Sequence, residues 1–196
     1  MKTKTSRQQQ ALETKGKLID AALQTFSRKG FSESTTKDIA KEAGVTDGLI
    51  YHYFQSKEDL LWAILDKYTL LHSIRQALAA MDKQASLEHN LTAYFQTLFR
   101  NLREQQDLIV MCFGEAQRNP EVRARVEEII RTGVELLHSF VAPLVRLDPQ
   151  ELLVAIRNVQ TSMVFYFLMT ARFTDDDTQS TEYIRTSVKQ FLKIVA

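Results

Sequence analysis

The stretch Thr35–Leu60, TTKDIAKEAGVTDGLIYHYFQSKEDL, decides how the chain is read. Residues 36–43 and 47–54 have helical character and are joined by Gly44-Val45-Thr46, which is the spacing of a helix-turn-helix. Gly44 suits the positive φ that ends a first helix, Val45 can plug the core between the pair, and Thr46 is placed to cap the second. Ile39, Ala40, Ala43 and Ile50 supply an inner face, and small Ala40 lets the two helices cross closely. Subtracting those positions leaves Asp47, Gly48, Leu49, Tyr51, His52 and Tyr53. A helix of barely two turns cannot bury three rings against its own domain, so some of them face outward. In a major groove such groups hydrogen-bond base edges or phosphates and pack on thymine methyls, while Gly48 permits close backbone approach. Lys57 follows at the start of the next helix, where its ammonium would add to the free amides of a phosphate site. Taken singly, Tyr51 and Tyr53 are equally at home in a core and Lys57 on a solvated surface. It is the set, behind a capped turn, that points to DNA.

Outward from this segment the composition is that of a globular chain. With 196 residues, 44% of them apolar, the chain can bury a core without metals or disulfides, in one domain or in two small ones. Residues 1–17 are polar and basic, so no signal peptide is expected, and no uncharged run reaches membrane-spanning length; no membrane partner is expected. The single Cys112 excludes an internal disulfide and a cysteine zinc cluster, and His52, His72, His89 and His138 lack ligand spacing. No metal or cofactor is expected, and a reducing cytoplasm is the simplest setting. The net charge of +1 conceals an asymmetry: residues 1–57 hold ten Lys/Arg against six Asp/Glu, the remainder fifteen against eighteen. An anion-seeking surface is therefore expected at the N-terminal end, although a merely solvated basic tail would give the same balance.

The rest of the pattern is helical throughout. Apolar residues recur at helical spacing, as in Leu12, Ile19, Ala22, Leu23, Phe26 and in Leu60, Leu61, Ile64, Leu65, Tyr68, Leu71, and nothing alternates with a strand's period. Thr35 with Asp38 and Ser56 with Asp59 form capping boxes; Asn119-Pro120 and Asp148-Pro149 set a cap residue before a proline at the first helical position. About nine helices are expected, over residues 10–29, 36–43, 47–54, 57–82, 86–105, 107–118, 120–145, 149–173 and 179–195, with Pro143 ending or bending the seventh. The chain is all-α.

The segment TTKDIAKEAGVTDGLIYHYFQSKEDLL, with AALQTFSRKGF before it, resembles the DNA-binding signature of the tetracycline-repressor-type (TetR) transcriptional regulators over residues 12–65. Beyond that, the likeness is of length and helical character only. The resemblance implies an N-terminal three-helix helix-turn-helix domain, residues 1–56, and a C-terminal ligand-binding and dimerisation domain, residues 57–196. It implies that Thr36, Tyr51, His52, Tyr53 and Lys57 touch DNA, mostly its backbone, and that Lys37, Thr46, Asp47, Gly48 and Leu49 sit where base readers lie. Asp47 and Leu49 depart from the common pattern. Asp47 can accept from cytosine N4 or merely cap the helix beside Thr46; Leu49 can pack on a thymine methyl.

In the remaining two-thirds, MVFYFLM at Met163–Met169 is apolar all round its helix and needs two burials. The resemblance suggests that one side joins the last helix in a four-helix dimer interface, through Phe165, Met169, Ile184, Val188, Phe191, Leu192 and Val195, while the other lines a cavity. Phe95, Phe99, Met111, Phe113, Phe140, Met163 and Tyr166 are the expected walls, with Glu115, Asn158 or Gln160 as polar anchors. A dry packed core is the alternative.

An enzyme is not expected: the chain has no Gly-rich phosphate loop, no Gly-x-Ser-x-Gly elbow, no metal cluster and no acid/base pair. The expectation is a homodimeric repressor that binds a double-stranded, palindromic DNA operator and is released by a small apolar or aromatic effector. The rival is a DNA-binding regulator whose C-terminal domain only dimerises or receives a protein partner.

Overall fold

A computed structural model describes residues 6–68, 70–82, 84–174 and 176–195. Among them are ten α-helices, two 3₁₀ turns and no strand. The chain divides into two compact units. The first holds α1 (Ser6–Lys29), α2 (Thr36–Ala43), α3 (Asp47–Tyr53) and α4 (Lys57–Lys67), joined by α7 (Gln106–Ala116) from Asp107 on. The second holds α5 (Leu70–Ala79), α6 (Leu87–Glu104), α8 (Pro120–Val141), α9 (Pro149–Met169) and α10 (Asp177–Val195).

In the first unit α1 packs on α2 and α4, and α2 on α3. Leu18, Ala22 and Phe26 of α1 are buried with Ile39 and Ala40 of α2, Ile50 of α3 and Leu60, Leu61 and Ile64 of α4. Each large side chain so removed from water contributes about 1.5–3 kcal/mol. Phe31, in the loop after α1, meets Phe26 edge to face at 5.1 Å. Ser27 Oγ donates to the Asp107 carbonyl at 3.2 Å, tying the start of α7 to α1. On α7 itself Cys112 is buried, and loss of hydration pushes its thiol up to about 12.

Helix ends follow local chemistry. Thr35 and Asp38 close a reciprocal box at the start of α2: the Asp38 amide donates to Thr35 Oγ1 at 3.2 Å, and the Thr35 amide donates to Asp38 Oδ2 at 3.1 Å. α2 ends at Gly44, whose φ of 67° lets the Val45 amide reach back to the Ala40 carbonyl at 2.9 Å. Thr46 stands at the N-cap of α3 with extended backbone, but its hydroxyl makes no capping bond, contrary to expectation.

The expected helix over 57–82 is two helices. α4 stops at Lys67, and Tyr68 takes φ −110°, ψ 31°. There the Lys67 ammonium and the Tyr68 hydroxyl both hydrogen-bond Asp20 Oδ1 on α1. Partial burial works to raise the Asp20 carboxyl, but these two donors outweigh it and hold the group below its usual range. Thr69 lies outside the described residues. Pro143 ends α8 as expected: helical bonding stops at Val141 and a 3₁₀ turn covers Ala142–Leu144.

The second unit is built on α6, which packs against α5, α9 and α10, while α8 packs against α5 and α9. Its core holds Leu91, Tyr94 and Phe95 of α6 with Val134 and Leu137 of α8, Ile156, Met163 and Phe167 of α9, and Ile184, Val188 and Phe191 of α10. At Gly133 an added Cβ would lie 3.3 Å from Ile74 Cδ1, so α5 and α8 meet where a side chain is missing. Arg103 closes the turn between α9 and α10, donating to the Thr174 carbonyl at 3.0 Å and to Asp177 Oδ1 at 2.9 Å. By length and composition Pro149–Phe173 is apolar enough to cross a membrane, which the uncharged-run criterion missed. Its Leu152, Ile156, Met163 and Phe167 are buried in the fold, and 33% of its apolar window is buried in all.

Candidate nucleic-acid interface

α2 and α3 share a buried side and an exposed one. Ile39, Ala40 and Ile50 turn inward. Tyr51, 56% exposed, turns outward, and its hydroxyl lies 3.1 Å from Thr36 Oγ1, joining the two helices across their open face. His52 is exposed and meets half-buried Tyr53 edge to face, 5.1 Å between ring centroids. Lys37 and Thr46 are exposed and Leu49 is half-buried. Gly48 is exposed, and a Cβ added there would meet nothing within 4 Å. The fold therefore does not require glycine at this position; a surface that must approach the backbone closely would.

Two basic residues near this face are already paired. Arg28 bridges Glu42 at 2.8 Å and Lys29 bridges Asp38 at 2.5 Å, fastening α1 to α2. The Lys29 ammonium, together with the Thr35 hydroxyl and amide, holds the Asp38 carboxyl down at about 2. Lys37 and Lys41 are exposed and have no carboxylate partner among the described residues. Lys41 was not among the expected DNA contacts; its signal in the sequence is that it follows Lys37 by four positions, on the same side of α2.

Two expected contacts stand in unexpected surroundings. The Lys57 ammonium donates to the carbonyls of Phe31 at 2.7 Å, Ser32 at 3.2 Å and Ser34 at 3.0 Å, and lies 4.5 Å from the centroid of the Phe31 ring. Its ammonium is thus engaged by the loop between α1 and α2. Asp47 opens α3, and its Oδ1 is shielded from solvent and accepts no hydrogen bond. Its carboxylate makes no capping bond; its negative charge at the positive end of α3 is what remains of the capping role.

The residues expected to wall an effector cavity divide between the two units. Phe95, Phe99 and Met163 are packed in the second unit, where Phe99 lies 6.1 Å from Phe167 and 6.2 Å from half-buried Tyr166. Tyr166 is itself stacked on Tyr183 at 3.9 Å. Gln160 donates to the Tyr94 hydroxyl at 2.9 Å, and Phe140 is half-buried. Met111, Phe113 and Glu115 belong to the first unit. Asn158 is exposed, on the same side of α9 as Val154 and Phe165, and cannot face an interior cavity. A groove of about 330 Å³ lies elsewhere, between α5 and α6.

The expected dimer stripe divides as well. Ile184, Val188, Phe191 and Val195 are buried in the core of their own chain, and Leu192 is half-buried. Periodicity identified an apolar face of α10, but α6 and α9 cover it within one chain. Phe165 and Met169, by contrast, are 62% and 58% exposed, with Val154 on the same side of α9 and Ile194 exposed on α10.

A capped α2, a Gly-Val turn and a short α3 with an outward ring make up a helix-turn-helix. Residues 18–64 match the profile described as bacterial regulatory proteins, tetR family. Over those residues the chain is similar to the DNA-binding segment of that family of regulatory proteins. It is similar to the fatty acid metabolism regulator protein of Bacillus subtilis (strain 168), with 31% identity over 61% of this chain and 62% of that one. To the HTH-type transcriptional regulator UidR of Escherichia coli (strain K12) it is 29% identical over 66% and 65% of the two chains. The chain thus spans just under two thirds of the length of these relatives. Among solved structures, a TetR-family regulator from Mesorhizobium loti matches with a TM-score of 0.75 at 18% identity, over 97% of this chain and 98% of that one. The fatty acid degradation regulator FadR from Bacillus halodurans matches with 0.73 at 22%, over 97% of each. At such identities the likeness shows the fold alone.

Proposed function

We propose that this chain is a homodimeric regulator of transcription, a repressor that two-fold-symmetric operator DNA binds through α2 and α3 and that a small-molecule effector releases. The observation that carries the reading is the outward Tyr51, tied to Thr36 beside exposed Lys37 and Lys41, which have no carboxylate partner among the described residues. Hydroxyls, a ring and free ammonium groups on one exposed face are what a phosphate backbone and a groove edge require. In the proposed division of labour residues 1–56 read DNA and residues 57–196 dimerise and respond.

One short helix reads only a few base pairs, so two copies about 34–36 Å apart are needed. The outward stripe of Val154, Phe165 and Met169 supports self-association, since an exposed apolar face of this kind is a liability unless a second copy covers it. An effector that fits one conformation about 100-fold better than the other, about 2.7 kcal/mol, relieves much of the repression. The dense packing of Phe95 and Met163 favours a second reading, in which the C-terminal domain only dimerises.

The test is mobility shift with the duplex flanking the chain's own gene. Tyr51→Phe, which removes one hydroxyl, is expected to weaken binding about 3- to 30-fold with an unchanged melting temperature. Equal affinity of mutant and parent would exclude this surface.

A further inference from the structure

We propose that the groove between α5 and α6 is a binding site for a small polyhydroxylated organic anion, a sugar acid or sugar phosphate. The inference deepens the proposed function, and rests on it, by naming the effector's class as polar where the aromatic content of the domain suggested apolar.

The space arises from what is missing. Ala77 on α5, Ala80 in the turn just after it and Ala93 on α6 line the groove, and their short side chains leave the room of about 330 Å³, at the small end of ligand pockets. The groove's far end is fixed by a buried residue: Asn90 accepts from the Asp82 amide at 3.0 Å and donates to the Asp82 carbonyl at 2.7 Å. The frame is therefore built, not an accident of loose surface side chains.

Its chemistry is that of hydrogen bonding. Gln76, Thr97 and Asn101 offer amides and a hydroxyl to the space, which suits a ligand carrying several hydroxyls. Tyr94, fully buried behind the groove wall, is held there by its hydroxyl, which accepts from Gln160 at 2.9 Å. Burial pushes that phenol up to about 12, so it stays protonated at any physiological pH. Arg100 has no carboxylate partner among the described residues; its described bond is a long one, 3.4 Å to Thr97 Oγ1. A guanidinium fork next to open space suits a carboxylate or phosphate. His89 adds ring nitrogens, and the one acid among the lining residues, Asp82, has its Oδ1 engaged by the Gln84 amide at 2.8 Å. Met81 and the Tyr94 ring are the large apolar surfaces among the groove's lining residues, so an acyl chain would find little wall to bury against.

Calorimetric titration of the full chain with gluconate, glucose 6-phosphate and decanoate tests this, in parent, Arg100→Gln and Ala93→Phe. The last variant fills the groove from an exposed position, and each variant's melting temperature without ligand reports whether it folds. Gluconate or glucose 6-phosphate is expected to bind, whichever does identifying the carboxylate or phosphate source. Affinity is expected to fall about tenfold in Arg100→Gln and to vanish in Ala93→Phe. No binding of either anion, or binding that both variants leave intact, overturns the proposal. Mobility shift in the presence of each compound separates it from the reading beneath it. Operator release by decanoate alone keeps the effector reading and removes the groove, whereas anion binding lost in both variants without operator release supports the groove and removes the effector reading.

Discussion

Lys57 offers the sharpest test of how the reading face is built. Lys57→Met keeps the aliphatic stem against the Phe31 ring and removes the ammonium that donates to Phe31, Ser32 and Ser34. Bonds from a charged donor are worth about 1.5–3 kcal/mol each when buried, but two of the three acceptors here are only partly buried and one is exposed. Water can take over much of what is lost, and the lysine regains side-chain freedom, so a net loss of about 2 kcal/mol is expected. For a chain of this length that lowers the melting temperature by about 4–8 °C. Operator affinity should fall at every salt concentration, because the loop that leads into α2 is no longer held, while the slope of log affinity against log salt stays where it was. A lysine on a phosphate behaves oppositely: its removal spares stability and reduces the slope by about 0.9. Lys37→Met and Lys41→Met, which remove exposed ammonium groups with no carboxylate partner among the described residues, are the internal standards for that second behaviour. Calorimetric unfolding and mobility shift over a series of salt concentrations decide the matter. A reduced slope with an unchanged melting temperature in Lys57→Met would refute the strut and restore the phosphate contact.

The other expectations are simpler. Gly44→Ala forces a side chain into φ 67°, with no steric contact to add, and should cost about 1 kcal/mol in thermal unfolding, whereas Gly48→Ala should cost nothing there and appear only in DNA affinity. Phe165→Glu sets a charge in the outward stripe of α9 and is expected to raise the dimer dissociation constant at least about a hundredfold, read by sedimentation velocity; an unaltered dimer would put the interface elsewhere. Asp38 is held at about 2 against an ordinary 3.8, so its contribution is fully present above about pH 4 and is lost as pH falls through 2. Asp38→Asn should therefore flatten the acid limb of the unfolding curve in that window, and an unchanged limb would show that the Lys29 pair contributes nothing.

What the sequence disclosed was what neighbours in the chain decide. Thr35 with Asp38, Gly44 with Val45, and Asn119 before Pro120 announce their helix ends within a few residues, and the helices begin and end there. The break after Lys67 was hidden, since Leu60, Ile64, Tyr68 and Leu71 carry the helical period straight across it. What marks that helix end is Asp20, on another helix and far away in the chain. Lys57 escaped for the same reason: its acceptors are the backbone of residues 31–34, and backbone carbonyls leave no trace in a side-chain pattern. The stripe on α10 was visible, but a period of 3.6 residues is the same whether a face is covered by its own chain or by a second copy. The groove was invisible because alanines make it, and aromatic content, which led toward a different cavity, counts what fills space.

Cys112 has a practical corollary. With its thiol buried and raised to about 12, almost none of it is thiolate at neutral pH, and alkylating reagents find no nucleophile there. It is also the chain's single cysteine. A cysteine introduced at exposed Gly48 would accordingly take up a fluorophore alone, setting a reporter on the reading helix while the native thiol stays in place.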